Sequence, residues 1–454
     1  MGMMKEMGAV TRLATPIAAA HLGQVLLGFV DTAVIGRLGE TELAAVGLGN
    51  AIFFAASITG AGCVLGIDPL ISQAIGSGQP GRARTTMWQG IWLALLVALP
   101  SMLVAGFGIL GLEAMGIAPE TARLAEQYLW SRLGAMAPYF LVTAVITYLQ
   151  SSDHTRPLVI SAVVANVVNA PVDVALVFGD EALGWVGLPP VGLPAFGVAG
   201  AGLTSTFVTL IQLGIVGLAA RAAGQGLRDV VRRPRLDALR EAIRVGIPVG
   251  LQRLAEMGVF SATALLMGRI GTLAAASHQI ALSFAAATFM VPLGISSAAA
   301  VRVGRAVGAG DQPGTRRAGF ASLLVGTLFM AGAALFFVII PRPLIAILTD
   351  DPEVLEAAVP LMRVAAIFQI SDGLQVVAAG ALRGMGDTRA PLYYNLVGHY
   401  AVGMPVGLGL AFVAGQGAVG LWWGLCAGLT AVGVVLSTRF ARLSLRTVQP
   451  LASA

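Results

Sequence analysis

The chain has 454 residues, 57% of them hydrophobic and 11% charged, with a mean hydropathy of +0.83. A soluble globular chain carries roughly 25% charged residues, so this composition excludes one and indicates a polytopic membrane protein. Cys63 and Cys426 both fall in apolar segments, which argues against a disulfide framework or a zinc site and makes both packing residues.

No short apolar segment with a small-residue cleavage site heads the chain. "MGMMKEMGAVTR" runs directly into a full-length span, which predicts an uncleaved first helix. Cutting the chain at Gly, Pro and charge clusters leaves apolar stretches long enough for the ~20 residues a helix needs to cross a bilayer. In chain order twelve spans are predicted, at about 10–36, 44–75, 86–112, 125–151, 157–179, 197–220, 239–268, 275–301, 318–340, 360–383, 391–414 and 417–438.

Placing the N-terminus in the cytoplasm puts 21 Lys and Arg on that side and six outside, with Arg253 the one basic residue in mid-span, which accounts for all 28. The positive-inside rule then predicts both termini in the cytoplasm and a multi-pass protein of the inner (cytoplasmic) membrane. The net charge of +5 and the pI near 9.7 are therefore a topology signal and not a sign of nucleic-acid binding.

Sliding the sequence along itself until Pro16 meets Pro248 superimposes "TPIAAAHLG…VIGRLG" on "IPVGLQRLA…LMGRIG". At the same offset Gly39 meets Gly271 and Gly62 meets Gly294; farther on, at a slightly longer offset, Pro171 meets Pro405. An even number of helices per copy gives parallel repeats. The expected architecture is all-α, with twelve transmembrane helices in two six-helix lobes around a V-shaped cleft. The N-lobe is 1–222 and the C-lobe 223–454, which includes a charged cytoplasmic linker at 221–238.

Five acids are placed at depth: Asp31, Asp68, Asp173, Glu256 and Asp372. An uncompensated charge at mid-membrane costs roughly 2.5–3.5 kcal/mol on insertion scales, so each needs a partner, a proton or a job. Asp31 is five residues short of the outer end of the first span, Asp173 six short of the outer end of the fifth, and Ser205 eight beyond the outer start of the sixth. At ~1.5 Å per residue all three share the outer half of the bilayer. Asn169 lies four residues before Asp173 and so faces the same way. Two carboxylates, an amide oxygen and a hydroxyl suit a monovalent cation or one shared proton. The structural alternative is a set of interhelical hydrogen bonds across a dry interface.

Glu256 and Asp372 are expected at a common depth near the midplane, as a second candidate cation or proton site, with Arg253 on the same face as Glu256 and able to neutralise it. Asp68, before a proline, is given a local role at a kink or a cleft mouth. Gln279, Phe260, Phe284, Phe289, Met257 and Met290 are candidates for an adaptable cleft lining, since thioethers and rings repack around varied ligands. Packing against lipid or core is the alternative for each. Walker, HExxH and paired CxxC motifs are absent from the sequence, so neither ATP nor a bound cofactor is expected to drive the chain, and it is not read as an enzyme.

These residues carry a resemblance. "FVDTAVIGRLG", "NAPVDVALVFG", "GVAGAGLTS", "ASHQIALSF", "VRVGRAVGAGD" and "QVVAAGALRGMGDTRAP" are similar to segments of the multidrug and toxic compound extrusion (MATE) transporters, most of all the bacterial NorM type. The resemblance implies a secondary active antiporter, monomeric in the lipid bilayer, that exports small cationic or amphipathic compounds against inward Na+ or H+. It puts the N-lobe cation site on Asp31, Asn169, Asp173 and the Thr204/Ser205 pair, of which Ser205 aligns better with a position that is commonly threonine, and the C-lobe acidic pair on Glu256 and Asp372. Phe368 stands where a tyrosine is often found, and Arg253 is atypical, so the N-lobe site is favoured for coupling. The nearer alternative is a flippase for a lipid-linked or amphipathic metabolite, which would need several cationic side chains in its cavity. The more remote one is a membrane-embedded enzyme.

Overall fold

The computed structural model describes residues 2–112, 116–185, 187, 189–226, 230–446 and 449–451, so 227–229 of the predicted linker lie outside the described residues. All regular secondary structure among the described residues is helical: α1 (Met3–Ile35), α2 (Glu40–Val64), α3 (Ile67–Gly76), α4 (Pro80–Leu110), α5 (Pro119–Leu133), α6 (Met136–Ser151), α7 (Arg156–Phe178), α8 (Asp180–Trp185), α9 (Val198–Ala223), α10 (Leu236–Ile270), α11 (Thr272–Gly308), α12 (Gln312–Ile339), α13 (Pro341–Ile345), α14 (Pro352–Gly384), α15 (Arg389–Leu396), α16 (Met404–Leu408) and α17 (Gly417–Leu443). A π-helical turn at Val397–Gly403 joins α15 to α16, and a second at Gly409–Val413 extends α16, which makes one long rod.

Ten helices among the described residues are long and apolar enough to cross a membrane, and α5 with α6, bent by 45° at their junction, makes an eleventh. The remaining predicted span, 239–268, coincides with α10. That helix has the length, 35 residues, but Gln252, Arg253 and Glu256 interrupt its apolar middle.

Local chemistry sets the helix boundaries. Asp311 starts α12 by accepting from the Gly314 amide at 2.8 Å, and Asp351 starts α14 by accepting from the amides of Glu353 and Val354, each followed closely by a proline suited to the first turn. Gly39 and Gly271, matched in the sequence repeat, break the chain with nearly identical backbone angles, φ 155° and ψ 171° against φ 153° and ψ 166°. Only glycine adopts that conformation readily, so the repeat is visible in the backbone itself.

Packing divides the chain into two compact units. One comprises Met1–Ala18, Asp68–Gln79 and Leu251–Ser453; the other comprises Ala19–Ile67 and Pro80–Gly250. In the first, α14 is buried along most of its length against α11, α12 and α17 around Phe368, Trp422 and Met267. In the second, α9 packs on α5, α6 and α7.

The unit boundaries cut through α1 and α10 because of two matched crossings. In the second unit a Cβ on Gly62 would stand 2.2 Å from the Gly250 Cα; in the first, a Cβ on Gly294 would stand 2.9 Å from the Ala18 Cα. The offset that carries Pro16 onto Pro248 also carries Gly62 onto Gly294 and Ala18 onto Gly250. Each repeat's second helix therefore packs backbone to backbone on the first helix of the other repeat, as small residues permit between membrane helices.

Asp68 departs from its expected local role. In the first unit its Oδ2 accepts from the Arg383 guanidinium at 3.1 Å, and both side chains are nearly buried, at 7% and 11% exposure. Nearby on the same helix the Gln73 amide donates to the Gly384 carbonyl at 3.0 Å. Glu6, at the start of α1, pairs with Arg302 at 2.5 Å. Cys63 and Cys426 are buried free thiols, as their apolar surroundings implied.

Candidate functional site

The second unit holds a cavity of about 130 Å3, walled by α1, α2, α5, α6, α7 and α9. Asp31, Asn169 and Ser205 line it, together with Gln24, Asn50, Phe53, Phe54, Arg132, Tyr139 and Gln212. Asp31 is 8% exposed and accepts from the Asn169 amide nitrogen at 3.0 Å. The four-residue spacing on α7 puts Asp173 one turn beyond Asn169, fully buried behind the cavity wall. Both Asp173 carboxylate oxygens and the Asn169 Oδ1 have no hydrogen-bond partner among the described residues. Thr204 is buried and spends its hydroxyl on the Gly200 carbonyl at 3.0 Å, so of the Thr204/Ser205 pair it is Ser205 that lines the cavity. Pro171 interrupts α7 between Asn169 and Asp173, and its missing N–H leaves a carbonyl of the preceding turn without its helical donor.

Buried acceptor oxygens with no donor are costly unless a proton, cation or water meets them. Here they are both oxygens of one acid, Asp173, and the amide oxygen of Asn169 one turn before it.

Sequence reasoning missed Arg132. It belongs to the last turn of α5, among the outer basic residues of the charge count, and instead lines the cavity with Asp31. One guanidinium nitrogen donates to the Tyr128 hydroxyl, which itself donates to Asn50 Oδ1 at 3.0 Å. The guanidinium carbon lies 4.6 Å from the Phe53 ring centroid, 5.7 Å from that of Phe54 and 5.6 Å from that of Tyr128. The available signal was a tyrosine and an arginine four residues apart, just ahead of "LGAMAP", where the helix bends.

The first unit gathers the other acidic pair. Glu256 on α10 accepts from Gln252 at 3.1 Å, from Gln375 at 3.0 Å and from Asn395. Asp372, 8% exposed, lies one turn before Gln375 on α14 and within the electrostatic field of Glu256. Arg253 also acts on Glu256 by its charge, while three amides supply the hydrogen bonds. Phe368 is buried between Phe260, at 6.0 Å, and Trp422, at 5.3 Å.

The cleft candidates divide. Phe260 and Phe284 pack against the core of the first unit, and Phe284 sits edge to face with Phe337 at 6.3 Å. Met257, Phe289 and Met290 are half-buried, and Gln279 is exposed. None of these six belongs to the cavity lined by Asp31.

The MatE family model matches residues 16–175 and again 248–408. The chain belongs to the MatE family. A relative from Bradyrhizobium diazoefficiens described as "Probable multidrug resistance protein NorM" is 37% identical over 445 residues, which is 96% of this chain and 93% of the relative. The multidrug resistance protein NorM of Burkholderia vietnamiensis is 35% identical over 94% of this chain and 92% of its own length. The crystal structure of the eukaryotic MATE transporter AtDTX14 superimposes with a TM-score of 0.84 at 21% identity, covering 98% of this chain and 99% of that one. The two proteins share one fold.

Proposed function

We propose that this MatE-family chain is a secondary active multidrug efflux transporter of the bacterial inner membrane, with both termini cytoplasmic. It acts as a monomer with no bound cofactor and is not an enzyme. It exports cationic or amphipathic compounds by alternating access of its two repeats, antiporting them against inward Na+ or H+. The multidrug resistance names of relatives 37% and 35% identical over nearly the whole chain support the efflux reading.

One observation carries the mechanism: a buried carboxylate, Asp31, hydrogen-bonded to Asn169 and facing a cavity with aromatic walls. Asp31, Asn169, Asp173 and Ser205 form the coupling site, and an inward cation or proton competes there with the exported compound for the same negative charge. Compensating that charge relaxes the hold of α1 on α7, and the helices repack around Pro16 and Pro171. A cation moving inward across 100 mV contributes about 2.3 kcal/mol per charge. Glu256 and Asp372 form a second cation or proton site. The side chains named for the cleft, Gln279, Phe260, Phe284, Phe289, Met257 and Met290, are assigned to later stages of substrate passage.

The test is dye efflux from proteoliposomes under a sodium gradient and a pH gradient imposed separately. Either gradient should drive efflux by the wild type, and Asp31→Asn should reduce gradient-driven efflux at least about tenfold. Undiminished efflux by Asp31→Asn would end this account.

A further inference from the structure

We propose that Arg132 is the charge that expels a cationic substrate from the cavity of the second unit once the charge of Asp31 is compensated. The inference rests on the efflux reading and assigns the release step to a named side chain.

Of the side chains that line the cavity, Asp31 and Arg132 are the two that carry full charge; the polar remainder are amides, hydroxyls and a phenol. With Asp31 ionised the walls hold one charge of each sign. When a coupling cation or a proton occupies Asp31, only the guanidinium remains, because arginine keeps its proton at every accessible pH. A substrate cation that was held by the carboxylate then shares the cavity with a positive charge that no other lining carboxylate opposes. The cavity lies inside a helix bundle, where repulsion is screened far less than at a surface. Asp173, behind the wall on α7, is the other acid whose field reaches this group of side chains.

Geometry keeps Arg132 in place for this work. The Asn50–Tyr128–Arg132 chain of hydrogen bonds ties its head to α2 and α5, and Phe53, Phe54 and Tyr128 present their rings to it. Those rings are also the platform that an aromatic cation would use. Arg132 therefore opposes a bound cation twice: by charge, and by already occupying the ring faces. While Asp31 is negative its attraction outweighs both effects; without it, neither is offset.

The experiment is a double-mutant cycle read as equilibrium binding of tetraphenylphosphonium, a permanent monovalent aromatic cation, to purified full-length protein in detergent. The four proteins are wild type, Asp31→Asn, Arg132→Gln and the double variant. Asp31→Asn should weaken binding by at least about tenfold, and adding Arg132→Gln to Asp31→Asn should strengthen it again by at least about fivefold, because the remaining repulsion is then removed. Arg132→Lys in the Asp31→Asn background keeps the charge and should bring no such recovery, whereas a packing role for Arg132 would make the lysine and glutamine variants alike. Arg132→Met replaces the glutamine variant if the latter is not monodisperse. An Asp31→Asn protein that binds the cation no more tightly once the Arg132 charge is removed would overturn the proposal. Failure of the wild type to bind the cation would overturn the efflux reading and this inference with it.

Discussion

Replacing Arg383 with methionine would leave Asp68 a buried carboxylate stripped of its guanidinium. The pair lies at 3.1 Å with about a tenth or less of either side chain exposed, so water cannot take over the lost contact. Breaking such a pair from one side costs about 3–5 kcal/mol, whereas replacing both partners by apolar groups of similar volume is often close to neutral. At about 2.1 cal/mol/K of unfolding entropy per residue, 454 residues correspond to roughly 1 kcal/mol/K, so the apparent Tm should fall by ~3–5 °C. The assay is thermal unfolding of purified protein in detergent at one fixed scan rate, since unfolding of membrane proteins is commonly irreversible. Arg383→Met and Asp68→Leu are measured singly and together. The single Arg383 variant should lose most of this stability, and the double variant should recover most of it. If the double variant is no more stable than Arg383→Met, the carboxylate is not the source of the cost and the reasoning fails.

The matched helix crossings make a second prediction. Gly62→Val and Gly294→Val would each drive a side chain into backbone, at Gly250 and at Ala18. Both should lower the apparent Tm by several degrees or abolish monodisperse protein, while Gly47→Ala, with nothing within 4 Å of the new methyl, should be neutral or stabilising by about 0.5–1 kcal/mol. Asp180 makes a third, outside the membrane. It accepts from the amides of Leu193 at 3.0 Å, Val191 at 3.0 Å and Gly192 at 2.9 Å, and these donors, that of Leu193 first, hold its carboxyl below the usual range. The folded-state value lies below the unfolded one, so the loop contacts persist above the ordinary carboxylate pKa and are lost as pH falls through the folded value. Asp180→Asn should speed hydrogen exchange at residues 191–193 at neutral pH; unchanged exchange there would show that the carboxylate does not hold the loop.

Much of the molecule was legible in order along the chain. Spans are composition over ~20 residues, and lipid leaves the backbone no option but the helix, so the predicted stretches map onto observed helices. The internal repeat was readable because close backbone crossings and helix breaks admit only small residues, and Pro16, Gly39 and Gly62 return as Pro248, Gly271 and Gly294. Asp31 was expected level with Asp173 because the two lie five and six residues from the outer ends of their spans, and Asn169 joined them through its four-residue spacing from Asp173.

Rotation and long-range pairing were decided only by the tertiary structure. A hydrophobic helix with small residues on every side gives little sign of which face meets which neighbour, so depth pointed to Ser205 but did not show that Thr204 beside it is sealed from the cavity. The inward turn of Arg132 depends on Tyr128 and the rings of another helix, and the partner of Asp68 lies 315 residues away. Charges in an apolar medium seek their complement in space, whatever the distance along the chain. The amino-acid order therefore set which charges are buried, and packing set which of them meet.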